Sequence, residues 1–138
     1  GDDEILLGNG NNTIDAGGGN NRISVRGGTN DILTGSGNDE ICGGVGDDLI
    51  NPGTGNNIVF GDAGVDTFVL ADGVGITTVL DFDVMTDKLS GFAFGDVNLI
   101  QGTGTEAGNT FVQNAITNDF MARLLFVNAN DLTGANFS

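Results

Sequence analysis

Large apolar residues recur at every ninth position through the first half of the chain. Each unit has a glycine, then an Asp or Asn two residues later, then an Ile, Val or Phe after two more. The glycines are Gly1, Gly10, Gly19, Gly28, Gly37, Gly46, Gly55 and Gly64. The acidic or amide residues are Asp3, Asn12, Asn21, Asn30, Asp39, Asp48, Asn57 and Asp66. The apolar residues are Ile5, Ile14, Ile23, Ile32, Ile41, Ile50, Val59 and Phe68. A fixed short period predicts a solenoid, because one unit is too small to fold without stacking on its neighbours.

The three residues centred on each apolar position predict a short β-strand. Since strand side chains alternate, the central residue faces the core and its two neighbours face outward. The glycine-rich residues between strands predict turns, in which positive φ angles are needed. A disordered glycine-rich linker is the alternative, but a flexible linker has no need of an apolar residue at every ninth position.

The unit G-x-(D/N)-x-U-x, with a second glycine two residues upstream in most copies, resembles the RTX (hemolysin-type calcium-binding) nonapeptide repeat of type I secreted proteins. The resemblance covers about half of the chain and implies an all-β fold. It implies a right-handed parallel β-roll over residues 1–69, which is a β-solenoid with two nonapeptide units per coil. A β-rich C-terminal cap is expected over residues 70–138. Residues 18 apart would then lie about 4.8 Å apart on one edge, so Glu4, Arg22 and Glu40 should form an alternating charge ladder.

The resemblance also implies Ca²⁺ as the cofactor, bound between successive turns on one edge of the roll. Calcium takes six to eight oxygen ligands from carboxylates and carbonyls. Asp48 and Asp66 are the only pair of same-edge neighbours with two carboxylates, so the strongest binding is predicted there. Asp39 and Asp3 come next, and the other predicted ligands are the amide carbonyls of Asn21, Asn30 and Asn57, which carry no charge and bind more weakly. The Asn12/Asn30 gap is expected to hold no ion and to be closed by amide hydrogen bonds.

Stacked carboxylates make folding dependent on the ion. Two of them about 5 Å apart repel by roughly 3 kcal/mol at an effective dielectric constant near 20. A calcium ion between them reverses the sign of that term. The roll is therefore expected to be largely unfolded without calcium and ordered with it.

The nine-residue period stops after Leu70, and a different pattern follows. The stretch from Asp66 to Leu70, followed by Asp81-Phe82 and by Asp87-Lys88-Leu89-Ser90-Gly91, resembles the segment that ends many RTX arrays. Such segments form terminal strands over the last coil and can hold a further calcium ion. The resemblance makes Asp81 and Asp87 candidate ligands, and two solvated turn carboxylates are the alternative.

Two further strands are predicted downstream, over 109–113 and 120–127, with a loop over 102–108. Residues 124–138 resemble the tails of cyanobacterial-type RTX proteins, which carry the type I export signal. This half would supply the apolar cap that an open solenoid end needs. The cap is expected to wrap over Ile58 and Phe60, which face outward.

Composition narrows the functional classes. The 19 acidic residues outnumber the 4 basic ones, for a formal charge of −15, and the chain has no His. The charge disfavours nucleic acids and anionic membranes as partners and favours cations, and the absence of His removes the commonest general base.

Cys42 is alone, so it is either a small strand residue or a cross-link between molecules. The sequence shows no membrane span and no signal peptide, and an upstream domain is expected because residue 1 falls in mid-repeat.

The function predicted from these features is that of a calcium-binding module, not an enzyme. It would belong to a secreted protein, at the cell surface or outside the cell, where calcium is abundant enough to fold it. A self-assembling structural or adhesive protein, joined through the open N-terminal coil, is the alternative. Ice binding is a minor alternative, because Thr54, Asn38 and Asn56 lie in segments similar to a calcium-dependent ice-binding roll.

Overall fold

The computed structural model describes every residue from Gly1 to Ser138. The chain forms thirteen short strands and four 3-10 turns. The strands are β1 (Glu4–Asn9), β2 (Thr13–Asp15), β3 (Arg22–Gly27), β4 (Asp31–Leu33), β5 (Glu40–Cys42), β6 (Leu49–Asn51), β7 (Asn57–Phe60), β8 (Thr67–Val69), β9 (Thr77–Val79), β10 (Lys88–Ser90), β11 (Val97–Gln101), β12 (Thr110–Asn114) and β13 (Phe120–Leu124). The 3-10 turns are Phe94–Asp96, Gly104–Glu106, Ala129–Asp131 and Gly134–Asn136. None of these elements is a helix with the length and apolar character needed to cross a membrane.

The first ten strands form two parallel stacks that face each other. The odd-numbered strands β1 to β9 make one stack and the even-numbered strands β2 to β10 make the other. Glu4 pairs with Arg22 and Thr13 pairs with Asp31, so each coil takes 18 residues. The predicted parallel β-roll with two nonapeptide units per coil is confirmed.

The core of the roll is a column of apolar side chains between the two stacks. In the three-residue strands β2, β4, β5, β6, β8 and β10 the central residue is buried while its neighbours are more exposed, as in Asp31-Ile32-Leu33. Full burial of such a side chain contributes about 1.5–3 kcal/mol. Ile5 is only half-buried, because β1 is the edge strand of its sheet. The predicted inward position of the apolar residue is confirmed in every unit from Ile14 to Phe68.

The predicted charge ladder is also present. Arg22 forms ion pairs with Glu4 at 3.2 Å and with Glu40 at 3.8 Å. All three side chains are more than half exposed, and exposed pairs of this kind contribute at most about 1 kcal/mol. The ladder is therefore evidence for the 18-residue register of the coils, and its contribution to the stability of the fold is small.

Parallel pairing continues beyond the point where the nine-residue period ends. Asn57 pairs with Thr77, and Thr67 pairs with Lys88, at spacings of 20 and 21 residues. The additional residues are absorbed in the connections that precede β9 and β10. A fifth coil thus lies after residue 69, and the division between roll and cap at residues 69 and 70 stays a prediction.

The remaining three strands extend the odd-numbered stack. β13 pairs parallel with β9, and β12 and β11 follow in antiparallel order to give an eight-stranded sheet. β12 and β13 lie where strands were predicted, although β13 ends at Leu124, and Phe126 has a positive φ of 60°. The predicted loop contains the turn Gly104–Glu106, and β11 was not predicted.

The cap does not cover the outward face of the last coils. Ile58 stays 46% exposed. On the outer face of the sheet it is followed by its pairing partner Thr78 of β9, and Thr78 in turn pairs with Arg123 of β13. The cap lengthens the sheet at its end instead of folding over its side. The prediction that the cap wraps over Ile58 is therefore wrong, whereas Phe60 is half-buried and its covering by the cap stays a prediction.

Candidate metal centres along the two edges of the roll

The Asp and Asn residues of the repeat form one inner rank on each edge of the roll. One inner rank consists of Asp3, Asn21, Asp39 and Asn57, and the other consists of Asn12, Asn30, Asp48, Asp66 and Asp87. Within each rank, one side-chain oxygen accepts a hydrogen bond from the backbone N–H of the preceding member. The N···O distances run from 2.8 Å, for Asn30 N to Asp48 Oδ1, to 3.1 Å, for Asp66 N to Asp87 Oδ1. The stack thus fixes one oxygen of Asp39, Asp48 and Asp66 and leaves the other available, whereas both oxygens of Asp87 accept hydrogen bonds.

Two of these second oxygens are buried without a hydrogen-bond donor. Asp39 Oδ2 and Asp48 Oδ2 have no hydrogen-bond partner, and both residues are 2% exposed. A buried carboxylate without a compensating partner costs several kcal/mol or takes up a proton. These oxygens therefore lack the compensating partner that a cation would supply.

Glycine leaves the space in which such a cation would lie. A Cβ on Gly43 would lie 2.5 Å from Asp48 Oδ2, and a Cβ on Gly61 would lie closer still to Asp66 Oδ2. Among the eight units, the position five residues before the Asp or Asn is glycine only before Asp48 and Asp66. The sequence therefore carried a further signal for this pair, which the period of the repeat alone does not reveal.

Asparagine members of the inner ranks satisfy their turns without an ion. Asn30 Nδ2 donates to Gly28 O at 2.9 Å, to Gly43 O at 3.3 Å and to Asp48 Oδ1 at 2.9 Å. Asn12 Nδ2 donates to Asn30 Oδ1 at 2.8 Å, so the predicted amide hydrogen bond across this gap is present. The amide nitrogen of Asn30 thus satisfies turn carbonyls, which belong to the class of oxygen donors that calcium prefers.

Burial raises the pKa values of the three stacked carboxylates on one edge. Desolvation raises the pKa of Asp66 to about 7, and the nearby charges of Asp87 and Asp48 add to the effect. Burial likewise raises the pKa of Asp48 and of Asp87, although backbone N–H donors oppose it. Three consecutive carboxylates with raised pKa values mark a place where negative charge lacks compensation.

The remaining candidate ligands lie in different surroundings. Asp3 is exposed on the edge coil. Asn21 and Asn57 are buried, and their amide nitrogens donate to the carbonyls of Gly19 and Pro52, both at 3.1 Å. Asp81 is half-buried, and its two oxygens accept from the N–H groups of Gly61 at 3.0 Å and Asp62 at 2.8 Å.

Calcium fits the donors that the edges provide. No group of three or more Cys, Asp or Glu side chains converges on one point, so side chains alone cannot complete a coordination shell. The turns add backbone carbonyls, and hard oxygen donors of both kinds are the ligands that calcium prefers. The orphaned oxygens of Asp39 and Asp48, together with the space beside Gly43, match an ion with this preference.

Cys42 lies in an acidic environment. Its Sγ donates to Asp62 Oδ2 at 2.8 Å. Burial, followed by the hydrogen bond and the negative charge of Asp62, raises the pKa of the thiol to about 12. Cys42 is therefore a neutral thiol near pH 7, and a neutral thiol is a poor nucleophile for forming a cross-link.

Comparison with known proteins yields one family. The profile described as "RTX calcium-binding nonapeptide repeat (4 copies)" matches residues 1–32, 16–50, 26–59 and 43–76, which together cover more than half of the chain. No curated protein has significant sequence similarity to the chain. The matched residues contain all eight nonapeptide units and nearly all of the inner ranks.

Two similar solved structures are subunits of a mannuronan C5-epimerase from Azotobacter vinelandii. The solution structure of the AlgE6R2 subunit is 22% identical, with a TM-score of 0.38, and the match covers 96% of this chain and 91% of that one. The AlgE6R3 subunit is 20% identical, with a TM-score of 0.40 and coverage of 97% and 78%.

Proposed function

Because this chain belongs to the family of RTX calcium-binding nonapeptide repeat proteins, we propose that it is a module that binds calcium and becomes ordered by doing so. The observation that carries the proposal is the pair of buried carboxylate oxygens, Asp39 Oδ2 and Asp48 Oδ2, that have no donor. Calcium supplies the positive charge that these oxygens lack. The chain supplies carboxylates at a fixed spacing and turns without side chains beside them.

The proposed ligands fall into two classes. Asp48, Asp66 and Asp87 form an uninterrupted acidic edge, and we propose that calcium binds most tightly between them. Asp39 is the proposed ligand on the opposite edge, where its neighbours Asn21 and Asn57 would contribute only amide oxygens. Asn21, Asn30 and Asn57 stay predicted ligands of weaker binding. Asp3 stays a predicted ligand of the same rank as Asp39, and Asp81 stays a candidate ligand of a further ion.

Calcium couples to folding through electrostatic repulsion and burial. The roll brings buried carboxylates together at the strand spacing of about 4.8 Å, and each must be neutralised before the coil can close. An ion that binds the folded roll and not the unfolded chain shifts the equilibrium toward the roll by mass action. We therefore propose an unfolded chain at low calcium and a folded module at the millimolar calcium found outside cells.

A secreted role follows from this coupling. A chain that stays loose at low calcium is suited to export before folding, and the predicted tail over 124–138 would carry the type I export signal. In this proposal residues 70–138 serve as the cap, the module is extracellular, and any catalytic activity belongs to a domain upstream. No catalytic role is proposed for the residues of this chain.

Self-assembly is the second candidate, and the edge strands favour it. β1 and β2 each have a neighbour on one side only, and unpaired strand edges are sites of association. Electron microscopy of the calcium-loaded chain separates the two functions, since filaments support assembly and discrete particles support a single module.

Ice binding through the exposed Asn38 and Asn56 stays a prediction that thermal hysteresis would test.

The proposal is tested by calcium titration of the full chain and of two variants. Circular dichroism in chelator and in excess calcium should give an unordered spectrum and a β-rich spectrum, respectively. Asp48→Asn should raise the calcium concentration at half-maximal folding roughly tenfold or more, because one charged ligand is lost. Asp31→Asn is the matched control, since Asp31 is exposed and lies one residue beyond the inner rank. Identical spectra in chelator and in calcium would refute the proposal.

A further inference from the structure

The last carboxylate of the acidic edge lies in a turn unlike those before it. Asn12, Asn30, Asp48 and Asp66 each follow a glycine two residues earlier, and all four glycines have positive φ angles. Asp87 has Met85 at the corresponding position. The glycine turn that orients every earlier member of the rank is therefore absent at Asp87.

The turn over residues 83–87 is closed by a different set of contacts. Asp83 O accepts from the N–H of Asp87 at 2.8 Å, and Asp87 Oδ2 accepts from the N–H of Asp83 at 2.9 Å. Asp87 Oδ1 faces the acidic edge, where it accepts from the N–H of Asp66 at 3.1 Å. These bonds define the turn but do not satisfy the backbone carbonyls of Val84 and Asp87.

A side chain far along the sequence satisfies both of those carbonyls. Asn136 Nδ2 donates to Val84 O at 2.9 Å and to Asp87 O at 3.3 Å. Asn136 is only 4% exposed, and its Oδ1 accepts from the N–H of Thr133 at 3.1 Å, which locks the amide in this orientation. One buried amide thus joins both ends of the turn that carries Asp87.

Further hydrogen bonds and a pair of aromatic rings also hold the segment around Asn136 in place. Lys88 Nζ donates to Ala135 O at 2.6 Å, and the N–H of Ser138 donates to Leu89 O at 3.0 Å. The rings of Phe137 and Phe94 pack with their centroids 5.3 Å apart. Residues 133–138, which we call the docking segment, therefore lie on the coil that presents Asp87.

We propose that Asn136 is a positioning residue for the calcium-binding carboxylate of Asp87, so that the docking segment and the last coil bind calcium as one unit. The inference rests on the proposed function. Asn136 replaces the missing glycine turn as the element that fixes the backbone behind the carboxylate. By thermodynamic reciprocity, calcium at Asp66 and Asp87 strengthens the attachment of the docking segment to the coil.

The test compares calcium binding of the full chain and of two asparagine variants by isothermal titration calorimetry. Asn136→Ala is expected to weaken the tightest calcium sites about tenfold or more, the usual consequence of removing a group that orients a ligand. Asn128→Ala is the matched control, since Asn128 caps the preceding 3-10 turn, is exposed and does not touch residues 83–87. Its calcium affinity should stay within about twofold of the unaltered chain.

A third variant separates positioning from packing. Asn136→Asp keeps the oxygen that accepts from Thr133 but replaces the donor nitrogen, so it should show a loss of calcium affinity even though it retains the volume. If Asn136→Ala and Asn136→Asp bind calcium as tightly as the unaltered chain, Asn136 serves packing alone and the inference is wrong. If the unaltered chain itself binds no calcium, the proposed function fails.

Hydrogen exchange of the unaltered chain decides the matter if the variants do not fold. The amides of 83–87 and 133–138 should gain protection at the same calcium concentration. Protection of 133–138 that is complete in chelator, or that appears at a different calcium concentration, would overturn the coupling.

Discussion

At the scale of single residues, Asp and Asn at the same position have opposite requirements. An inner-rank Asn brings its own donor, as Asn30 Nδ2 does when it reaches Gly28 O and Gly43 O. Asp39 and Asp48, in contrast, each leave a buried oxygen without a donor. The repeat can therefore alternate between turns closed by an amide and turns that require an ion, with the backbone unchanged.

This difference predicts the outcome of Asn30→Asp. The substitution removes three donated hydrogen bonds and places a second carboxylate beside Asp48 Oδ1, so repulsion of about 3 kcal/mol at roughly 5 Å and a dielectric constant near 20 should destabilise the calcium-free roll. With calcium, the vacated carbonyls and the new charge should add about one bound ion. Calorimetry gives the number of ions, and Asn38→Asp is the control because Asn38 is exposed and outside the inner ranks. Equal ion counts for Asn30→Asp and the unaltered chain would contradict this account.

At the scale of strands and turns, the sequence predicted the features that the nine-residue period determines. It missed the features that lie outside the period. The inward position of Ile32 follows from the nine-residue spacing, and the ladder at Arg22 follows from that spacing together with the two units per coil that the RTX resemblance implies. The period does not predict the pairing of β9 and β10, because insertions lengthen the spacing to 20 and 21 residues and erase the periodic signal. Only the resemblance to the ends of RTX arrays indicated terminal strands in this region. The contact between Asn136 and the turn at Asp87 spans 49 residues, and no local pattern encodes it.

The three stacked carboxylates on one edge predict an opposite effect of pH with and without calcium. Folding raises the pKa of Asp66 from 3.8 to about 7, so the folded roll holds a proton that the unfolded chain releases between these values. The stability from this proton is fully present below pH about 3.8 and is lost as the pH rises through about 7. In calcium-depleted buffer, circular dichroism should therefore show more β-structure near pH 5 than near pH 8.

With calcium the direction reverses, because the ion requires ionised carboxylates. The calcium concentration at half-maximal folding should rise as the pH falls from 8 to 5. Asp66→Asn should lose most of both effects, whereas Asp31→Asn should retain them. A calcium-free chain whose β-structure increases from pH 5 to pH 8 would show that the carboxylates are not the groups responsible.

At the scale of the whole molecule, the formal charge of −15 is distributed over a small fold. The inner ranks hold 5 of the 19 acidic residues, and the 4 basic residues cannot balance the total. Self-repulsion of this size opposes the compact state. Calcium differs from a screening salt in that it both neutralises the ranks and joins one turn to the next.

Small-angle scattering distinguishes these two effects of the ion. A folded chain of this length should have a radius of gyration near 14 Å, or somewhat more for an elongated roll, against about 38 Å when unfolded. Millimolar calcium should take the chain from the larger value toward the smaller one. Sodium chloride at about 1 M shortens the Debye length to about 3 Å and relieves repulsion without supplying a ligand, so it should compact the chain only partly and leave the dichroism unordered. If sodium chloride alone produced the folded radius and the β-rich spectrum, repulsion would be the whole barrier to folding, and the buried oxygens of Asp39 and Asp48 would not need a bound ion.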